Sequence, residues 1–300
     1  MFIEVTIITK VPTIGKMNIK TFNYFNNTTR KILSFANLLE GKYNISMISK
    51  KFLTIISTLT LSEMKARYRN TWAGFLWVII NPILMFSVHA IVFKHILKLN
   101  IDRYYVFLLG GLLPWIFVSS TITMTCNTFI TGREILLSFQ INPITILGSK
   151  VLDNFVNFIS PFILLFLVLL FTDDFNIYGI LTIPVSMFLL LTGTLALSLF
   201  FATLQVYFRD TQFILTFGLS ILYLLTPIFY PAEMVPANLA WIVKINPVYA
   251  FVNPLQIALW DFDSAKIIPV ILKSIYFNIF VITVSAYFWK RKRNELYLYI

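Results

Sequence analysis

The side chains that carry most enzyme chemistry are scarce in this sequence, and the few present are poorly spaced for it. There are two histidines, His89 and His95, six residues apart on one expected helix. Two metal ligands on one helical face need a separation of about four residues, so this pair falls on different faces and no metal site is expected. Cys126 is the single cysteine; it cannot form an internal disulfide and reads as a small buried hydrophobe. The Gly-Lys pairs, Gly15-Lys16 and Gly41-Lys42, lack the upstream glycine and the following hydroxyl residue of a phosphate-cradling loop. ATP binding by such a loop is therefore excluded for this chain. Asp153, Asp173 and Asp174 stand near expected helix ends without an accompanying motif, which argues against a membrane-embedded transferase. An ion-coupled carrier would need carboxylates buried in mid-helix, and the pattern predicts none.

What must position these groups is a set of membrane helices. The 300 residues are 58% hydrophobic and only 12% charged, where soluble domains carry about a quarter of charged residues. Phenylalanine alone fills 30 positions, more than a soluble core of this length could pack without exposing large apolar patches. A spanning helix needs roughly 20 apolar residues. The sequence offers candidates at about 74–97, 105–127, 151–171, 179–206, 212–230 and 267–289. The predicted fold is thus an all-α integral membrane protein of six transmembrane helices. Residues 1–48 are mixed, rich in Asn and Thr and without sustained periodicity, and read as a poorly ordered extension. The N-terminus shows no apolar core followed by a small-residue cleavage site, so the chain's own helices are expected to direct insertion.

Within 49–73, Phe52, Ile55, Ile56 and Leu59 recur at helical spacing opposite Thr54, Ser57, Thr58 and Ser62. This predicts an amphipathic helix lying in the membrane interface. Between the fifth and sixth spans, residues 232–261 are apolar but interrupted by Pro236, Pro247 and Pro254. A lipid-exposed chain there would leave backbone groups unpaired, so a re-entrant hairpin is predicted. Residues 290–300 form a tail.

An even number of spans puts both termini on one side, and the basic residues choose it. From Lys65 onward, that side would hold Lys65, Arg67, Arg69, Arg133, Lys150, Arg209, Lys290, Arg291, Lys292 and Arg293, against Lys98, Arg103, Lys244 and Lys266 opposite. The excess marks the cytoplasm. The formal charge of +11 then reads as attraction to an anionic leaflet and not to nucleic acid.

One run stands apart: Leu61-Ser62-Glu63-Met64-Lys65-Ala66-Arg67-Tyr68-Arg69-Asn70-Thr71-Trp72-Ala73-Gly74-Phe75-Leu76-Trp77, followed by Asn81-Pro82. Further along come Leu109-Gly110-Gly111-Leu112-Leu113-Pro114-Trp115, then Arg209-Asp210, Thr226-Pro227-Ile228-Phe229-Tyr230-Pro231 and Asn246-Pro247. In this order the set resembles the membrane permeases of ABC polysaccharide and polyol-phosphate exporters, which serve O-antigen, capsule or teichoic acid export. The resemblance runs over about residues 50–290. It departs in the long segment before Lys50 and in a weakly basic loop from Thr131 to Asn142.

The resemblance implies a homodimer in a bacterial inner membrane, paired with two copies of a nucleotide-binding subunit that binds ATP and Mg, and moving a lipid-linked glycan. The permease itself would hold no cofactor and catalyse no reaction. Cytoplasmic surfaces open to the ATPase are then expected at Glu63, Lys65, Arg67 and Arg69, and at Arg133 and Glu134. The alternatives are plain positive-inside anchoring for the first group and a solvated loop pair for the second. A glycan slides over aromatic faces, and the candidates for its pathway are Trp115, Phe213, Phe217, Tyr223, Phe229 and Tyr230; interfacial or lipid-facing rings are the other reading. Gly110, Gly111 and Pro114 suggest close helix approach with a kink, either gating or static packing. Arg209 and Asp210 are a helix stop and cap or a gating pair. An ABC permease for a small drug or lipid is the nearest rival.

Overall fold

The computed structural model describes residues 45–68, 74–139, 141–171 and 176–299. Most of the N-terminal extension, Arg69 and the pair Asp173-Asp174 lie outside the described residues. The chain divides into two compact units, Met1–Ser49 and Lys50–Ile300, and the packing below is that of the second. All its regular structure among the described residues is helical.

Helix α1 (Ile45–Tyr68) leads to a turn at Gly74. Gly74 has φ of +49° with open space around it, a left-handed conformation that glycine adopts without strain. Then come α2 (Trp77–Ala90), continued by a π-helical stretch Ile91–Ile96, and α3 (Tyr104–Cys126). Short helices α4 (Thr128–Thr131) and α5 (Arg133–Phe139) lead to α6 (Pro143–Phe171) and α7 (Ile177–Tyr207). The chain ends through α8 (Thr211–Leu225), α9 (Ala240–Ile245), α10 (Pro247–Trp260), α11 (Ser264–Lys292) and α12 (Leu296–Tyr299).

Among the described residues five helices are long and apolar enough to cross a bilayer: Trp77–Ile96, Tyr104–Cys126, Pro143–Phe171, Ile177–Tyr207 and Ser264–Lys292. The expected fifth span, 212–230, is a helix of only 15 residues. That is about 22 Å of rise against a hydrocarbon core of about 30 Å. It stops because Pro227 has no N–H to donate and pushes Thr226 into an extended conformation, with φ −89° and ψ 129°. The third span begins earlier than 151: Asn142 Oδ1 accepts from the Ile144 N–H at 3.0 Å, and Pro143 fills the first helical position. The same logic starts α7 at Asn176, α10 at Asn246-Pro247 and α11 at Asp263, each side chain accepting from a first-turn N–H.

The core sits around α3, where 72% of the most apolar stretch is buried, against 6% for Trp77–Ile96. Helices α6, α7 and α10 pack on α3, and α10 and α11 pack on α7. Polar side chains stitch the apolar helices together: Asn278 Nδ2 donates to the Leu189 carbonyl at 3.2 Å, and Ser285 Oγ donates to the Ala196 carbonyl at 2.7 Å. Such interhelical hydrogen bonds are worth about 0.6 kcal/mol each in membrane proteins.

Candidate functional site

Two clusters engage α3. The first is aromatic and starts where Pro227 ends α8. The turn that follows, residues 227–230, leaves Phe229 buried, and the Phe229 carbonyl accepts from the Tyr104 hydroxyl at 3.2 Å. The Phe229 ring, 1% exposed, stacks on His89 with centroids 4.6 Å apart and on Phe93 at 5.1 Å. It meets the Tyr223 ring edge-on at 4.8 Å. Trp115, 4% exposed, closes the group 5.5 Å from Tyr223. His89 Nδ1 lies 2.5 Å from the Met85 carbonyl, which can only accept, so Nδ1 carries the proton. The Tyr223 hydroxyl is the hydrogen-bond partner of Nε2, at 2.8 Å. Offset and edge-on arrangements are those that aromatic rings favour.

The structure thus brings together three of the six candidate rings, Trp115, Tyr223 and Phe229, around a histidine that sequence reasoning had set aside. Tyr230 stands beside them. Its hydroxyl donates to the Leu224 carbonyl at 3.0 Å, satisfying an acceptor in the last turn of α8. Its ring borders a mostly apolar cavity of about 360 Å³ with Phe93, Leu97, Leu225, Pro236 and Val243. Phe213 and Phe217 are elsewhere, 76% and 70% exposed on the outer face of α8.

The second cluster is polar. Arg67, in the last turns of α1, forms an ion pair with Asp153 of α6 and donates to Asn154 Oδ1 at 3.2 Å and to the Met124 sulfur at 3.0 Å. Asn154 Nδ2 in turn donates to Ser120 Oγ at 2.8 Å and Thr121 Oγ1 at 2.7 Å on α3. Asp153 is 1% exposed. This corrects the expectation that no carboxylate is buried in mid-helix: because α6 starts at Pro143, Asp153 lies in its third turn and not at its edge. A readable signal existed, since Lys150, Asp153, Asn154 and Asn157 recur at i, i+3, i+4 and i+7 and form one polar stripe. An open cavity of about 360 Å³ adjoins the cluster, lined by Arg67, Trp77, Asn81, Ser120, Asn154 and Asn157 among others.

The remaining candidates are dispersed. Glu63 is half-buried, and Lys65, Arg133 and Glu134 are exposed. Gly110 and Gly111 lie where α3 meets α10. A Cβ on Gly111 would stand 2.7 Å from the Gln256 amide nitrogen, while one on Gly110 would make ordinary contact at 3.5 Å with the Gln256 Cα. Gln256 is buried and donates to the Phe107 carbonyl at 3.1 Å. Pro114 is buried within α3. Arg209 and Asp210 are exposed in the turn between α7 and α8. That turn is held by Gln205, which donates to Asn127 Oδ1 at 2.9 Å and to the Arg209 carbonyl at 3.0 Å, and accepts from the Gln212 N–H at 2.9 Å. Asn127 and Gln212 are also hydrogen-bonded to each other. Gln205 was not foreseen, because a lone glutamine in an apolar run carries no pattern.

Similar proteins include several named "O-antigen export system permease protein RfbA". One from Klebsiella pneumoniae is 28% identical over 218 residues, 71% of this chain and 82% of the relative. The one from Myxococcus xanthus is 28% identical over 209 residues, 69% and 80% of the two chains. The "Polysialic acid transport protein KpsM" of Escherichia coli is 27% identical over 201 residues, 64% and 76%. The family model described as "ABC-2 type transporter" matches residues 54–260, a stretch that holds both clusters, and the chain belongs to that family.

Proposed function

We propose that this chain is the permease subunit of an ABC transporter that exports lipid-linked polysaccharide of the O-antigen or capsule class. The observation that carries the reading is that relatives named for O-antigen export and polysialic acid transport align over three quarters or more of their own length. The chain works as a homodimer in the bacterial inner membrane, closed twofold symmetry being the commonest oligomer form. Two copies of a separate ATPase subunit supply the ATP and Mg chemistry. Both termini are cytoplasmic. Helix α8 with residues 226–230 completes a sixth span, α9 and α10 form the re-entrant hairpin on the outer face, and α1 lies in the inner interface.

On this topology the polar cluster is at the cytoplasmic end of α3 and the aromatic cluster faces the outer half. Trp115, Tyr223 and Phe229 form a packed ring group that has to part for a glycan to pass, with Tyr230 at the outer mouth. Phe213 and Phe217 extend the aromatic surface of α8 toward the second copy. Glu63, Lys65, Arg69, Arg133 and Glu134 are the surfaces offered to the ATPase, and Arg67 ties the first of them inward. Gly110, Gly111 and Pro114 fix the approach of α3 to α10, while Arg209 and Asp210 close the α7–α8 turn.

Deletion of the gene in its host tests this. Loss of surface polymer with build-up of full-length lipid-linked polymer inside is expected; intact surface polymer with altered drug or lipid efflux would move the chain to the small-substrate exporters. Reporters fused after Asp174 and after Ile300 should read outside and inside respectively.

A further inference from the structure

We propose that Asp153 is a positioning residue: it anchors the Arg67 end of α1 to α6, and through the neighbouring Asn154 to α3, so that α1 transmits the ATPase stroke to the helix that carries Trp115. This rests on the reading of the chain as an ATPase-driven permease.

Three observations lead there. Thr60 and Arg67 of α1 both reach inward to α6, Thr60 Oγ1 donating to the Ser149 carbonyl at 3.3 Å and Arg67 pairing with Asp153 and Asn154. Asn154 then continues the contact to Ser120 and Thr121, and Arg67 itself touches Met124, so one connected set of polar atoms joins three helices. Finally, among the described residues Asp153 Oδ1 is buried without a hydrogen-bond partner, and Arg67, held by Oδ2, is the cation paired with this carboxylate, Lys150 of the same helix adding a weaker attraction. Pulling Arg67 away would strand a charge in a low-dielectric interior, a costly event. The α1 end and α6 are therefore expected to move as one piece, and a stiff link between two packed elements is what coupling requires.

The two residues are not equivalent in a test. The Arg67 side chain is 32% exposed and Asp153 1%, so removing the aspartate charge leaves an arginine that can turn to solvent. Asp153→Asn is thus the informative variant. The intact permease with its ATPase subunit is reconstituted in lipid vesicles, and polysaccharide translocated per ATP hydrolysed is measured with the amount of assembled complex. Asp153→Asn is expected to assemble and hydrolyse ATP within about twofold of wild type while translocation per ATP falls about tenfold. Arg67→Lys, which keeps the charge but loses the forked contacts, should fall between them. The double variant Arg67→Gln/Asp153→Asn should be no worse in this ratio than Asp153→Asn alone.

A wild-type ratio in Asp153→Asn overturns the inference and leaves the permease reading standing. So does a loss of assembly in Asp153→Asn accompanied by a wild-type ratio in Arg67→Lys, since the carboxylate would then serve folding alone. A wild-type complex that hydrolyses ATP but moves no polysaccharide takes down the permease reading and this inference with it.

Discussion

Two clusters grip α3, one near its C-terminal end and one at its middle, by different physics. Near Ser120, Thr121 and Met124 the cluster is built on an ion pair between α1 and α6, Arg67 with the buried Asp153, and reaches α3 through hydrogen bonds from Asn154 and Arg67. At Trp115 it is aromatic, a histidine–tyrosine hydrogen bond inside stacked and edge-on rings. Parting Arg67 from Asp153 strands a charge, which costs about 3–5 kcal/mol when the surviving partner is buried. Each aromatic pair in the second holds by about 0.5–1.5 kcal/mol, and rings can exchange one face for another. The ionic end suits a joint that must not open, and the ring group suits one that opens and recloses.

The largest effect should come from the ionic end, with a built-in asymmetry. Arg67→Ala leaves Asp153 buried and unpaired and is expected to cost about 3–5 kcal/mol, read as lost membrane abundance and a lower unfolding midpoint in detergent. Asp153→Asn should cost clearly less, because Arg67 is about a third exposed. Equal losses would mean that the charge pair is not what holds this end. Next, the α3–α10 contact beside the rings distinguishes adjacent glycines. Gly111→Ala forces the buried Gln256 amide away from the Phe107 carbonyl, at about 1–3 kcal/mol. Gly110→Ala meets ordinary contact distances and should cost less than about 1 kcal/mol.

The ring group should give smaller stability changes and larger changes in transport. Tyr223→Phe removes the hydroxyl that is hydrogen-bonded to His89 Nε2 and is expected to cost about 1 kcal/mol. Trp115→Ala and Tyr230→Ala should both lower export. Tyr230→Ala should do so at unchanged membrane abundance, since the Tyr230 side chain is only partly buried, whereas Trp115→Ala also empties a packed site. Unchanged export in both would remove these rings from the glycan pathway. Phe213→Ala, on an exposed face, should shift the unfolding midpoint of the detergent-solubilised monomer by no more than about 0.5 kcal/mol equivalent.

What the sequence made legible follows from local rules. The start of α10 at Asn246-Pro247 is written in residues that fix backbone geometry on the spot; the stop of α8 at Thr226-Pro227 is written the same way, but apolar length alone carries the expected span past it to residue 230. Apolar length is equally local: it gives six candidate spans in the sequence, of which five are helices long enough to cross a bilayer among the described residues. Asp153 was misread because Lys150 and Asp153 lowered the hydropathy of the first turns of α6 and hid the Asn142-Pro143 start. His89 was set aside because its partner Tyr223 lies 134 residues away, and no spacing rule reaches that far. Trp115, Tyr223 and Phe229 were chosen as rings in plausible places, but their mutual contact depends on tertiary packing. For Phe213 and Phe217 the same reasoning could not say which face of α8 turns inward.

The most direct measurement is ATP-driven transfer of lipid-linked polysaccharide into vesicles holding the permease and its ATPase subunit. Polymer should become protected inside vesicles whose ATPase sites face outward, only with ATP and Mg, and the protected amount should fall in Tyr223→Phe and Asp153→Asn. Hydrolysis that moves a short lipid or drug but leaves the polymer outside would contradict the assignment.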